Sequence, residues 1–213
     1  MKSKIITTFI LLIGLSINAQ SYKPTKGEIV FRETSKITNK KLFDESLKTA
    51  KENFKESLIK SLLKEEENTG KEKEIEEMCN ISADALKMIY TEDSTEIYVY
   101  KFEDNLQDFS KNIILKVSED KKSKKIIKGY DCYKVKYEYK ENNEHADEEY
   151  KIYAKNTIYQ REMWVTEKIK SLYHPIVFDK IILEKYYPLE ILETQSDIKG
   201  FERRFKLEKI ELK

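Results

Sequence analysis

The amino-acid sequence predicts an α+β domain. Its expected form is a half-barrel, a curved antiparallel sheet of about ten strands covered on its apolar face by a long amphipathic helix and a shorter one. Three observations predict it. Apolar residues recur at three- and four-residue steps between positions 39 and 67, and beyond residue 87 the period falls to two. The segment Asp131 to Lys140 then alternates strictly, with Tyr133, Val135, Tyr137 and Tyr139 on one side and Lys134, Lys136, Glu138 and Lys140 on the other. Such alternation belongs to half-buried strands with one wet face.

Residues 1–19 read as a secretory signal. Lys2 and Lys4 form its basic start, Ile5 to Ile17 its apolar stretch, and Ile17-Asn18-Ala19 a cleavage site before Gln20. The apolar run is shorter than the roughly 20 residues a membrane helix needs, and no later segment reaches that length. No cysteine follows the cut to carry a lipid anchor. The mature chain is therefore expected to be periplasmic or secreted, without a transmembrane segment. Residues 20–213 suit one domain at about 100–200 residues each, with a helical insertion at about 39–86.

In chain order, Glu28 to Ser35 follows Pro24 and Gly27 and carries Ile29, Val30, Phe31 and Thr34, a strand. From Asn39 to Glu67 the apolar stripe Phe43, Leu47, Ala50, Phe54, Leu58, Leu62 lies on a field of Lys and Glu, an amphipathic helix of roughly seven turns. The charge run Lys64 to Lys73, with Asn68, Thr69 and Gly70 inside it, reads as a turn. A second helix spans Lys71 to Leu86, with an interruption expected near Asn80 to Ser82. The strands expected after it are Lys87–Thr91, Thr95–Phe102, Ile113–Val117, Lys125–Lys128, Asp131–Lys140, Glu148–Ala154, Ile158–Val165, Lys180–Lys185, Leu189–Thr194 and Phe201–Leu212.

The charge balance narrows the function. Lys and Arg number 40 against 39 Asp and Glu, a balance that does not attract nucleic acid. Charged residues make up 37% of the chain, above the usual figure of about 25%. They fill the outer stripe of the helix and alternate strand positions, so the excess describes a solvated surface.

The segment Ile127-Lys128-Gly129-Tyr130-Asp131-Cys132-Tyr133-Lys134, the later Trp164-Val165-Thr166-Glu167-Lys168-Ile169, and the ending in which Tyr187-Pro188-Leu189-Glu190 precedes a last strand resemble the GLPGLI-type and related secreted domains of unknown function of Gram-negative bacteria. Where the namesake motif would fall, this chain reads His174 to Leu183. The resemblance covers residues 113–213 and implies a half-barrel crossed by helices, similar to the periplasmic lipoprotein carriers LolA and LolB. It implies no catalytic residues.

The residues themselves offer little for catalysis. His145 sits in the acidic run Glu141 to Glu149, which lacks the alternating ligands and glycine of a calcium loop and reads as a solvated turn. His174 precedes Pro175, which favours extended backbone, and no nucleophile elbow accompanies it. Neither an enzyme activity, a metal nor a cofactor is expected. Cys79 and Cys132 are candidates for a disulfide in an exported chain, although strand parity puts Cys132 on the wet face while Cys79 follows the apolar stripe of its helix. The aromatic residues Tyr133, Tyr137, Tyr139 and Trp164, with Phe43, Leu47, Phe54 and Leu58 of the helix, read either as core or as the wall of a cleft for an apolar small molecule or lipid. Three functions follow, in order: an exported, non-catalytic binder of an apolar ligand between helix and sheet, an envelope-associated module that binds another protein, and behind both a secreted hydrolase.

Overall fold

The computed structural model describes residues 23–64, 70–91, 94–103, 108–110, 112–146, 148–154 and 156–213. The expected leader, at 1–19, lies outside the described residues. The elements are β1 (Lys26–Ile37), α1 (Lys40–Leu62), α2 (Glu72–Ile89), β2 (Thr95–Glu103), β3 (Ile113–Ile127), β4 (Tyr130–Lys140), α3 (Glu148–Ala154), β5 (Tyr159–Thr166), α4 (Lys180–Leu183), β6 (Tyr187–Gln195) and β7 (Phe201–Leu212).

All seven strands form one open, curved antiparallel sheet in the order β2-β1-β7-β6-β5-β4-β3. Strands β3 to β7 are a meander, β1 returns to lie beside β7, and β2 pairs with β1 at one edge. The helices α1 and α2 are inserted between β1 and β2. Lys128 and Gly129, both with positive φ, form the two-residue turn between β3 and β4, the backbone geometry that matches strand twist.

Among the described residues seven strands replace the expected ten, because several segments take another form. Ile113–Val117 and Lys125–Ile127 belong to one long strand, β3, with Lys128 in the turn that follows, and the middle of the strand is a lysine-rich stretch at the sheet edge. Both of its faces meet water there, so no hydrophobic period marks it. Glu148–Ala154 is helical, and its Ile152 packs against Phe54 and Leu58 of α1. Lys180–Lys185 contains a single helical turn in which the Asp179 carbonyl accepts from the Ile182 and Leu183 N–H groups. Lys87 to Ile89 continue α2, which runs unbroken through Asn80–Ser82.

Helix α1 starts where Asn39 turns its side-chain oxygen to the Leu42 N–H at 3.1 Å, an N-cap. Gly200, at φ +75°, lies against this start: a Cβ there would meet the Asn39 carbonyl oxygen at 2.5 Å. The Thr38 and Asn39 N–H groups both donate to the Gly200 carbonyl. Phe43 and Leu47 therefore bury against Tyr90, Ile198 and Phe201 at the β6–β7 turn, and Phe54 and Leu58 bury against Ile75, Cys79, Ala83 and Leu86 of α2.

The expected cover of the sheet is thus corrected. The stripe of α1 is spent on α2 and on the β6–β7 turn. The apolar face of the sheet is covered instead by the strap between β5 and β6, residues 167–186, which buries Ile169, Ile176, Val177, Ile182, Leu183 and Tyr186 against Phe31, Val135, Met163, Tyr187 and Ile191. At about 25 cal/mol per Å² of apolar surface removed from water, six such side chains outweigh any single polar contact that holds the strap.

Candidate functional site

The inner face of the sheet carries a polar row across its apolar field. In register, Tyr137 of β4 faces Arg161 of β5, Arg161 faces Glu193 of β6, and Glu193 faces Arg203 of β7. Arg161 Nε donates to Glu193 Oε2 at 2.6 Å and Arg161 Nη1 to the Tyr137 hydroxyl at 2.9 Å. Arg203 Nη2 lies 2.8 Å from Glu193 Oε1, and the Tyr139 hydroxyl donates to Glu193 Oε2 at 3.2 Å. The strap adds Asp179, which accepts from the Tyr137 hydroxyl at 3.0 Å and from Ser110 Oγ at 2.7 Å, with Arg161 Nη1 at 3.9 Å. Two guanidinium groups and two carboxylates balance.

The electrostatics follow from that closure. Burial pushes Glu193 toward the neutral form, but Arg161 and Arg203 outweigh it and hold the carboxyl below the usual range. Burial pushes the Tyr137 and Tyr139 phenols well up, so both stay protonated donors. Among the described residues every buried side-chain nitrogen and oxygen has a hydrogen-bond partner. The row staples the strap to the sheet, each of its charged groups facing a partner of opposite charge.

His174, on the strap, is also committed to structure. Its Nδ1 accepts from the Ile176 and Val177 N–H groups at 3.1 and 3.0 Å, which places the proton on Nε2, 3.0 Å from the Pro188 carbonyl. The ring lies between Phe31 and Tyr187, with centroids 5.1 and 5.3 Å away. Burial lowers its pKa to about 3, with Arg161 adding to the effect against the Pro188 hydrogen bond. His145 is exposed in the turn before α3.

The residues expected to wall one cleft are divided among separate clusters. Phe43 and Leu47 lie at the β6–β7 turn, Phe54 and Leu58 between the helices, and Tyr133, Tyr137 and Tyr139 in the sheet core. Tyr137 and Tyr139 are brought together with Tyr159 in a stack, at 5.4 and 5.2 Å. Tyr133 donates to Glu167 Oε1 at 2.6 Å. Trp164 pairs with Lys134 on the opposite, outer face, where the Lys125 and Lys134 ammonium groups lie 5.6 and 5.2 Å from its ring.

The candidate disulfide is absent. Cys79 and Cys132 are both thiols, buried in different clusters. Cys132 is buried despite its parity, because at that end of the sheet consecutive residues are covered on both sides, as with Val165 and Thr166, or Tyr187, Pro188 and Leu189.

What period and parity do not single out is the outer side of α2. Met78, Ile81, Met88 and Ile89 are 49, 73, 81 and 59% exposed. At about 100° per residue they lie roughly a third of a turn round from Ile75, Cys79 and Leu86, which face α1. Beside them, an open groove of about 500 Å³ between the helices is lined by Asp44, Lys48, Lys51, Asp84 and Lys87, a polar surface with Lys51 Nζ 2.9 Å from Asp84 Oδ1. The available signal is the second apolar stripe in the α2 sequence, which a one-sided helix does not need.

Fold and surface together define an open antiparallel sheet, closed over by its own strap, with an inserted helical arm. No family model, curated protein or solved structure matches the chain.

Proposed function

We propose that this protein is an exported, non-catalytic interaction module that docks another polypeptide on the exposed side of α2. The observation that carries the reading is the set Met78, Ile81, Met88 and Ile89, four large apolar side chains in water on one face of one helix. Scattered apolar residues need no explanation, whereas a contiguous patch does. Methionine at two of the four positions suits a surface that adapts to what it binds. Catalysis has less support, since His174 spends both ring nitrogens on backbone partners. Export rests on the basic and apolar pattern of residues 1–19.

The test is site-specific photo-crosslinking in the cells that make the protein, with the crosslinker at position 81, at 88, and at exposed Lys60 on α1 as control. A discrete adduct, identified by mass spectrometry, is expected from 81 and 88 alone. The absence of any adduct at 81 and 88 overturns the docking reading. A mature chain whose first residue is not Gln20 overturns the leader.

A further inference from the structure

We propose that two copies of this chain pair antiparallel along the outer edge of β2, about a two-fold axis at Val99, so that the two sheets continue into one another. The pairing is separate from the docking role of α2, whose face it leaves open.

Strand β2 begins the sheet order and pairs only with β1. Its nine residues keep one register with β1 and contain neither proline nor glycine. From Thr95 to Val99, among the described residues, the β2 backbone bonds to β1 alone. Natural sheets guard such edges with bulges, proline or lysine. The other edge has these guards: β3 shifts register between Ile114 and Lys116 and again between Asp120 and Lys124, and Lys121, Lys122 and Lys124 stand at the second shift. On β2 the single lysine, Lys101, is drawn back to Glu28 of β1 at 3.2 Å, away from the bare edge. Ile97 and Val99, 51 and 58% exposed, share one side of the strand.

Any extended peptide can add to a bare edge, so what selects a second copy is the match of β2 to its own reverse. With Val99 opposite the Val99 of the other copy, all nine residues find a place: Ile97 faces Lys101, Glu96 faces Phe102 and Thr95 faces Glu103. No charge meets its like. Moving the axis by one residue leaves the last two residues of each copy unpaired, and moving it to Lys101 sets that cation against itself. Val30 lies opposite Val99 in the β1–β2 ladder, so the outer face gains an unbroken row of four valines across the axis. Both copies spend the same edge and keep only the guarded one, so association closes at the dimer. The strip is roughly 30 Å long and one strand wide, less than the roughly 800 Å² per partner of a stable complex. Backbone hydrogen bonds carry it, and the dimer is concentration-dependent.

Sedimentation velocity and cysteine crosslinking of the mature chain test this together, with buried Cys79 and Cys132 left in place. Wild type is expected to pass from monomer to dimer between micromolar and millimolar concentration and to go no further. Directly opposed Cα atoms lie about 4.5–5.5 Å apart, within disulfide reach, so Val99→Cys is expected to crosslink to itself on oxidation. Ile97→Cys alone is expected not to, because its two copies stand roughly 13 Å apart along the pair, whereas Ile97→Cys mixed with Lys101→Cys is expected to give the mixed dimer. Ile97→Lys sets a second cation against Lys101 and is expected to weaken the dimer about tenfold, and Lys101→Glu added to the same chain is expected to restore it. Should Val99→Cys lose its circular dichroism spectrum, Thr95→Cys mixed with Glu103→Cys replaces it. A wild type that stays monomeric or grows beyond the dimer, a Val99→Cys that crosslinks no more than Lys60→Cys on α1, or a double variant as weak as Ile97→Lys overturns the proposal. If wild type is monomeric while the position-81 crosslinker captures a different protein, the dimer fails and the docking role stands.

Discussion

Arg161 and Glu193 face each other across the β5–β6 ladder with Nε 2.6 Å from Oε2, on the side of the sheet otherwise given to tyrosine, methionine and isoleucine. The pair is shared. Glu193 also takes Arg203 and Tyr139, and Arg161 also takes Tyr137. Removing one member strands the others away from water, so Glu193→Gln or Arg161→Met is expected to cost about 3–5 kcal/mol in urea unfolding. The double variant is expected to lose clearly less than the sum, and simple additivity would show that the two residues act independently.

His174 makes stability depend on acid. Its folded pKa is depressed to about 3, so between the unfolded value near 6.5 and that figure the unfolded chain holds the extra proton. Stability from this residue is complete above pH 6.5, falls as pH drops toward 3, and would reach a loss on the order of 5 kcal/mol at the limit. Glu193, held below its ordinary range, adds its own loss only at lower pH, as acid protonates the folded carboxyl. The slope between pH 6.5 and 4.5 therefore isolates the histidine. His174→Asn keeps an acceptor where Nδ1 stands, for the Ile176 and Val177 N–H groups, and is expected to flatten that slope while lowering stability at neutral pH by about 2–3 kcal/mol through lost ring packing. An unchanged slope in urea titrations of the variant would acquit His174.

Much of the fold is legible in residue order, for reasons these groups make plain. Phe43 to Leu58 in α1 and Tyr133 to Tyr139 in β4 follow their periods because one side of each meets protein and the other water. The middle of β3, lysine-rich and wet on both faces, carries no period, and Glu148–Ala154 takes its helix from a tertiary contact of Ile152. The cover of the sheet is hidden for a similar reason. An amphipathic stripe says that α1 must bury one face, while the choice of α2 over the sheet depends on the Gly200 contact that aims it. Arg161 and Glu193 are readable as charges at apolar parity, Arg161 between Tyr159 and Met163 and Glu193 after Leu189 and Ile191. Asp179, which arrives from the strap, leaves no such trace.

Asp179 fastens that strap at its middle, with Ser110 and Tyr137 both donating to it. Asp179→Ala leaves those two hydroxyls and part of the Arg161 charge unanswered, at about 2–4 kcal/mol. The effect is expected to be local before it is global. Amide hydrogen exchange is expected to rise in residues 167–186 more than in β1, β6 or β7, and equal acceleration everywhere would mean that the strap does not open separately.

The thiols give a prediction that needs no substitution. Cys132 is buried with its pKa pushed up to about 11 by burial, and its Sγ donates to the Tyr130 carbonyl at 3.4 Å, so at neutral pH it is a protonated, poorly nucleophilic thiol. Cys79 lies fully buried between α1 and α2. The native protein is therefore expected to react slowly with a thiol reagent, and the same protein unfolded without reductant to release two equivalents. Reductant is expected to leave the thermal midpoint unchanged. A bridge across these positions would close a loop of roughly 50 residues, worth on the order of 4 kcal/mol, and its reduction would lower the midpoint by many degrees. Near-zero titration of the unfolded chain together with such a drop would mean that the helical arm and the sheet are tied covalently, which the separate burial of Cys79 and Cys132 argues against.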